Sequence, residues 1–248
     1  MENNKNKSYF ISDVHLGYFD REIGKVKEEM FIKYLDFISK DAKSIYLLGD
    51  IFDYWFEWKK VIPKIYFRVL SKLYDLKHAG IEIIYLMGNH DFGHNSFFEE
   101  ELGIPIFSNE FTTEIDNKKF FLHHGDGLVS GDNGYKLLKK ITRNKTNQKL
   151  YTSLLHPNFA IKLASQSSKK SRNYKSYDHS VINNKILEFA KSKINLGFDY
   201  VILGHLHNKE ITKINNGYYI NLGDWLSSPN IGLFNGKEFL FIDSDFIK

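Results

Sequence analysis

Ser44-Ile45-Tyr46-Leu47-Leu48-Gly49-Asp50-Ile51-Phe52-Asp53 sets the reading of this chain. A short run of Ile, Tyr and Leu has the pattern of a buried strand. A glycine then frees the backbone to turn, and two carboxylates follow it. Four other runs read the same way and end the same way. Ser8–Ser12 leads into Asp13-Val14-His15, and Ile81–Met87 into Gly88-Asn89-His90-Asp91. Lys119–His123 leads into His124-Gly125-Asp126, and Tyr200–Leu203 into Gly204-His205-Leu206-His207. In open α/β sheets ligands bind outside the carboxyl ends of the strands, so five such loops on one rim would converge on one crevice.

Helical spacing fills the intervals. Val26, Met30, Lys33, Tyr34, Phe37 and Ile38 mark a helix before the second strand. Ile65, Val69, Leu73 and Leu76 mark another, stopped at Ala79-Gly80, and Ile182, Ile186, Phe189 and Ala190 a third. From Gly217 to Ile247 short β runs alternate with Gly- and Asn-containing turns. The pattern predicts a layered α/β domain over residues 1–248 with a β-rich C-terminal part. Residues 133–180 break the alternation. They read as short helices around Tyr135–Ile141, Gln148–Leu155 and from Pro157 to about Ser168, inserted between the fourth and fifth strands as a cap.

Charge is unevenly spread. From Asn133 to Tyr177 there are eleven basic residues and no acid, although the chain carries 34 basic and 30 acidic residues in all. An acidic body suits cation-binding carboxylates, and a basic segment suits an anionic partner such as phosphate, nucleic acid or a lipid surface. A Lys-rich solvated face is the plainer account of such a run. With 0 Cys, thiolate metal sites, disulfides and a cysteine nucleophile are excluded. No apolar run approaches the ~18 residues of a spanning helix, and the polar N-terminus lacks the apolar core of a signal peptide, so a cytosolic protein is expected.

Carboxylate, carboxamide and imidazole ligands suit Mn, Fe, Zn, Ni or Mg. There are enough of them for two ions with a shared carboxylate. In an extended segment, Asp-x-His and His-x-His place both polar side chains on one face and send Val14 and Leu206 into the packing.

The five motifs together resemble the calcineurin-like metallophosphoesterase superfamily: D-x-H, G-D-x-x-D, G-N-H-[DE], H-G-D and G-H-x-H, between about Ser8 and His207. The resemblance implies a four-layer αββα sandwich and a site for two divalent metals. Asp13, His15 and His207 would hold one ion with Asp50. Asn89, His124 and His205 would hold the other, with Asp50 bridging. His90 would face the scissile phosphate, with Asp91 fixing its tautomer and charge. Asp53 and Asp126 read as residues that support the ligands from behind or cap loops, rather than as ligands. His123 reads as a strand-end neighbour, and His78, His94, His156 and His179 as surface or local structural residues.

The run from His124 to Asp132, Asn133, Gly134 and Tyr135 is similar, more narrowly, to the UDP-2,3-diacylglucosamine pyrophosphatases of lipid A synthesis. That resemblance implies a lipid-linked nucleotide substrate, Mn²⁺, and release of UMP. It also implies substrate contacts from Asn89, His90, Asp132, Tyr135, Ser168, Lys169 and Arg172, a cytoplasmic location with peripheral contact to an anionic membrane, and no nucleic-acid partner. The best-known members of that group carry Arg after the Asn of the third motif, whereas His90 stands here, as in the wider superfamily. A phosphatase or phosphodiesterase acting on another phosphoester is the alternative. A nucleic-acid-processing protein and a non-catalytic scaffold are weaker ones, since the basic segment is short and no ligand is missing.

Overall fold

The structure is a computed structural model, and it describes residues 5–128, 133–163 and 179–243. Its first half runs β1 (Lys7–Ile11), α1 (Arg21–Ile38), β2 (Ala42–Leu47), α2 (Phe67–His78), β3 (Glu82–Leu86), α3 (Phe97–Glu100), β4 (Ile106–Phe107), β5 (Glu110–Ile115) and β6 (Lys118–His123). Three helices follow: α4 (Asn133–Thr142), α5 (Lys145–Leu154) and α6 (157–163). The chain then continues through α7 (His179–Asn195), β7 (Tyr200–Leu203), β8 (Glu210–Ile214), β9 (Gly217–Asn221), β10 (Asn230–Phe234) and β11 (Phe239–Asp243).

Two sheets stack. One has the order β11-β10-β1-β2-β3-β4 and the other β5-β6-β7-β9-β8. β1, β2, β3 and β4 pair in parallel, as do β6, β7 and β9, so the five motif loops all leave carboxyl ends. The space between the sheets is filled by side chains from both. Phe10 stacks on Tyr46 and on Phe120 across the gap, with Leu48, Leu86, Leu122, Ile202 and Phe234 around it. The outer face of the first sheet is covered by α1 and α2. Phe31, Tyr34, Leu35 and Ile38 on α1, and Val69, Leu70, Leu73 and Leu76 on α2, recur at helical spacing and are buried there. On the outer face of the second sheet, Ile186, Ala190 and Ile194 of α7 pack on Phe121, Val201 and Tyr219. Two sheets flanked by helices is therefore the architecture.

Local signals explain the helix ends. Asp20 caps α1 by accepting from Glu22 and Ile23 N–H, both at 3.1 Å. Gly80, at φ +82°, ends α2 in the left-handed conformation, as the Ala79-Gly80 stop predicts.

The aromatic run after β2 splits. Phe52 and Trp55 are wholly buried against Tyr66 and Phe98, whereas Phe56 packs on Tyr151 of α5, and Trp58 Nε1 donates to Leu155 O at 3.2 Å. His94 is also buried, in a cage of Trp55, Tyr85 and Phe98, and so takes the local structural alternative rather than the surface one. Asp132, Ser168, Lys169 and Arg172 lie outside the described residues. Tyr135 stands in the first turn of α4, with its side chain outside the description.

Candidate metal centre

The loops after β1, β2, β3, β6 and β7 meet at one edge of the two sheets. Asp13, His15 and His207 bring ligand atoms within 4.8 Å of one another, and so do Asp50, His124 and His205. Asp50 Oδ2 stands between the groups, 3.4 Å from His124 Nε2 and 3.9 Å from His15 Nε2. Asn89 Oδ1 lies 3.2 Å from His124 Nε2. His124 Nδ1 donates to Leu48 O at 2.8 Å, which leaves the lone pair of a neutral ring on Nε2, facing the centre.

The side chains converge for a reason other than strand alternation. Asp13, His15, Asp50, His205 and His207 all have positive φ, between 51° and 69°. They are thus in the left-handed region, which non-glycine residues seldom adopt and which concentrates at functional sites. The extended segment expected for Asp-x-His and His-x-His is replaced by alternating left-handed residues beyond the strands. Val14 still turns into the core and Leu206 packs beside α7. Two glycines are required by close approach. A Cβ on Gly88 would collide with Asp50 Oδ1, and one on Gly204 with Ser12 Oγ and Asp13 Oδ2.

Electrostatics fit a cation. Asp13 Oδ1 is buried and accepts no hydrogen bond, while His207 Nε2 at 3.3 Å and His15 Nε2 at 3.6 Å point at it. Burial alone would raise the Asp13 and Asp50 carboxyls. The imidazoles outweigh it, those of His15, His207 and His124 at Asp13 and those of His124, His90 and His15 at Asp50, and hold both well below the usual range. Conversely, burial disfavours the His15 and His124 cations, yet the surrounding aspartates raise them to about 9 and about 10. Ionised carboxylates that draw protons onto clustered imidazoles are a donor set whose charge divalent cations would balance in place of those protons. The residues present fit such ions.

One expectation is corrected. Asp91 does not orient His90. Its buried carboxylate accepts from Ile51 N–H (2.8 Å), Phe52 N–H (3.4 Å), Gly88 N–H (2.8 Å) and Tyr85 O–H (2.5 Å). It therefore ties the Asp50 loop to the Asn89 loop. His90 Nδ1 instead lies 3.4 Å from Asp53 Oδ1 and 3.3 Å from Asp53 O. Asp53 Oδ1 is also 3.6 Å from His15 Nδ1, so of its two expected roles it takes that of backing site residues, here two rings. His123 ends β6 and accepts from Gly125 N–H at 2.7 Å, and burial holds it at about 3, hence neutral. No local pattern singles out Ser12, whose Oγ donates to Asp13 Oδ2 at 2.5 Å and so fixes that carboxylate.

Carboxylates and imidazoles buried at Asp13, His15, Asp50 and His124, with partly buried Asn89 and His205 and exposed His207 beside them, form a donor set for divalent cations at the edge of two stacked sheets. The Calcineurin-like phosphoesterase family profile matches residues 7–209, and the chain belongs to that family. Curated relatives include the UDP-2,3-diacylglucosamine hydrolase of Porphyromonas gingivalis, 31% identical over 94% of this chain and 95% of that one. The protein of the same name from Proteus mirabilis is 30% identical over 82% of each chain. No described helix is long and apolar enough to cross a membrane.

Proposed function

We propose that the chain hydrolyses the pyrophosphate bond of UDP-2,3-diacylglucosamine, releasing UMP and 2,3-diacylglucosamine 1-phosphate. The observation that carries this is the convergence of the five motif loops around Asp50, in a chain that aligns nearly end to end with a relative bearing that activity in its name. Asp13, His15 and His207 would hold one divalent ion and Asn89, His124 and His205 the other, with Asp50 shared. Mn²⁺ is the proposed metal. When bound, two such ions neutralise phosphoryl oxygens and make water acidic enough to supply hydroxide, so no protein nucleophile is needed.

The chain's own residues do the rest. Asp53 accepts the Nδ1 proton of His90 and turns Nε2 towards the Asp50 side of the crevice, 3.9 Å from Asp50 Oδ2. There His90 donates a hydrogen bond to the phosphoryl or leaving oxygen as negative charge develops. The Asp91 clamp holds the Asp50 and Asn89 loops in register so that little reorganisation is needed at reaction. In this reading α4, α5 and α6 form the cap. Their exposed Leu137, Leu138, Ile141, Leu150, Leu154 and Phe159 offer apolar surface to acyl chains, with lysines beside them for a lipid phosphate or an anionic cytoplasmic membrane face.

The test is UMP release from UDP-2,3-diacylglucosamine in detergent with Mn²⁺, with metal-stripped protein and Asp50→Asn as controls. Metal-dependent turnover of order 10 s⁻¹, abolished in both controls, is the expected result. Failure on this substrate by protein that hydrolyses a simple aryl phosphate would overturn the lipid assignment.

A further inference from the structure

The basic segment does not all face outward. Lys139 Nζ donates to Asp126 Oδ2 at 2.9 Å and to Asp126 O at 3.1 Å. Arg143 Nη2 donates to the same carboxylate oxygen at 3.1 Å and to Gly88 O at 2.8 Å, while Nη1 donates to Ser108 O. Asp126 is 1% exposed, and the Lys139 and Arg143 side chains are 16% and 12% exposed. Burial would raise the Asp126 carboxyl, but Arg143, His124 and Lys139 hold it well below the usual range. Lys139 of α4 and Arg143, the residue that follows the helix, thus point inside the molecule, and the position of the carboxylate and carbonyl they grip matters. Gly88 immediately precedes Asn89, and Asp126 lies two residues after His124. The Arg143 guanidinium touches two of the loops that carry the second ligand group, those of Asn89 and His124.

We propose that Arg143, with Lys139 and Asp126, is a positioning element: it holds the Asn89 and His124 loops at the spacing the second metal requires and couples α4 to that metal. The inference rests on the metal-centre reading above. A planar guanidinium reaches Gly88 O and Asp126 at once, whereas an ammonium is a point donor that would bridge the two poorly. The hydrogen bonds of Lys139 and Arg143 named above run to Gly88, Ser108 and Asp126, on the side of the second ligand group. Residues supporting metal ligands in this way typically change metal affinity by about 10–100-fold. By linkage, a metal that needs α4 seated must in turn stabilise the seated α4.

The experiment is a Mn²⁺ titration of the metal-stripped full chain, reading stoichiometry and the spin-coupled signature of a Mn²⁺ pair, alongside amide hydrogen exchange over α4. Wild type should bind two ions, and exchange in α4 should slow when the weaker site fills. Arg143→Ala should weaken the second ion about 10–100-fold, leave the first unchanged, and abolish the slowing in α4. Arg143→Lys should restore only part of the affinity. Lys140→Ala, at an exposed α4 position, should match wild type. General loosening by Arg143→Ala would weaken both ions equally and would overturn the proposal, as would second-ion affinity unchanged in that variant. Wild type binding fewer than two ions would remove the metal-centre reading itself, a failure distinct from the other two.

Discussion

Asp91→Asn tests the loop clamp directly. Asp91 is wholly buried, and its two oxygens accept four hydrogen bonds from the chain. Asparagine has one acceptor oxygen. Turned towards Ile51, Phe52 and Tyr85, it sets its NH₂ against Gly88 N–H, donor to donor. A buried donor left unmade costs about 1–3 kcal/mol, and with the neighbouring bonds disturbed about 2–3 kcal/mol is expected. For a chain of this size that lowers Tm by roughly 4–10 °C.

The pH dependence gives a sharper reading. Burial and the neighbouring Asp50 charge raise the folded-state Asp91 carboxyl above its ordinary value. Its stabilising contribution is therefore full at low pH and declines as pH rises through the raised value. Asparagine has no such decline. In metal-stripped protein the Tm deficit of Asp91→Asn should therefore be larger near pH 5 than near pH 8. Differential scanning calorimetry of both proteins at both pH values measures it. A deficit below about 1 °C, or one that grows with pH, would refute the clamp as described.

Further outcomes follow from the same geometry. Asp53→Ala removes the carboxylate beside both His90 Nδ1 and His15 Nδ1 but keeps the carbonyl 3.3 Å from His90 Nδ1; kcat should fall about 10-fold, and Mn²⁺ affinity about 10-fold by equilibrium dialysis. Gly88→Ala drives a methyl into Asp50 Oδ1, so the folded variant should bind neither ion tightly, as read by metal content after desalting. His94→Phe fills a cage in which both ring nitrogens lack hydrogen-bond partners, while Lys145 keeps its bond to the His94 carbonyl. Stability should hold or rise by about 1 kcal/mol, because a buried polar group without partners is lost. Burial and Lys145 push His94 well below 6.5, so folding is penalised as pH falls through the ordinary histidine value, and His94→Phe should be less acid-sensitive in pH-dependent denaturation.

The sequence by itself determined the five loops and their chemistry. A run of three to five apolar residues followed closely by Gly, Asp or His is a local pattern, and strand identity depends on little else. Its misreadings concern contacts between distant segments. Asp91 stands beside His90 in sequence, yet its carboxylate reaches forty residues back to Ile51, because the Asp50 loop places unpaired N–H groups there and Asp53 already occupies the face of His90. The eleven cations of 133–177 read as one outward charge, but Asp126 draws two of them inside. The edge strands β4 and β5 were invisible because half-exposed residues carry no apolar run. The left-handed backbone of Asp13, His15, Asp50, His205 and His207 also had no sequence signal. Donor type is a property of single residues, whereas the direction in which a donor points is fixed by the packing of two sheets and the helix α4 around it, and only the tertiary structure decides that.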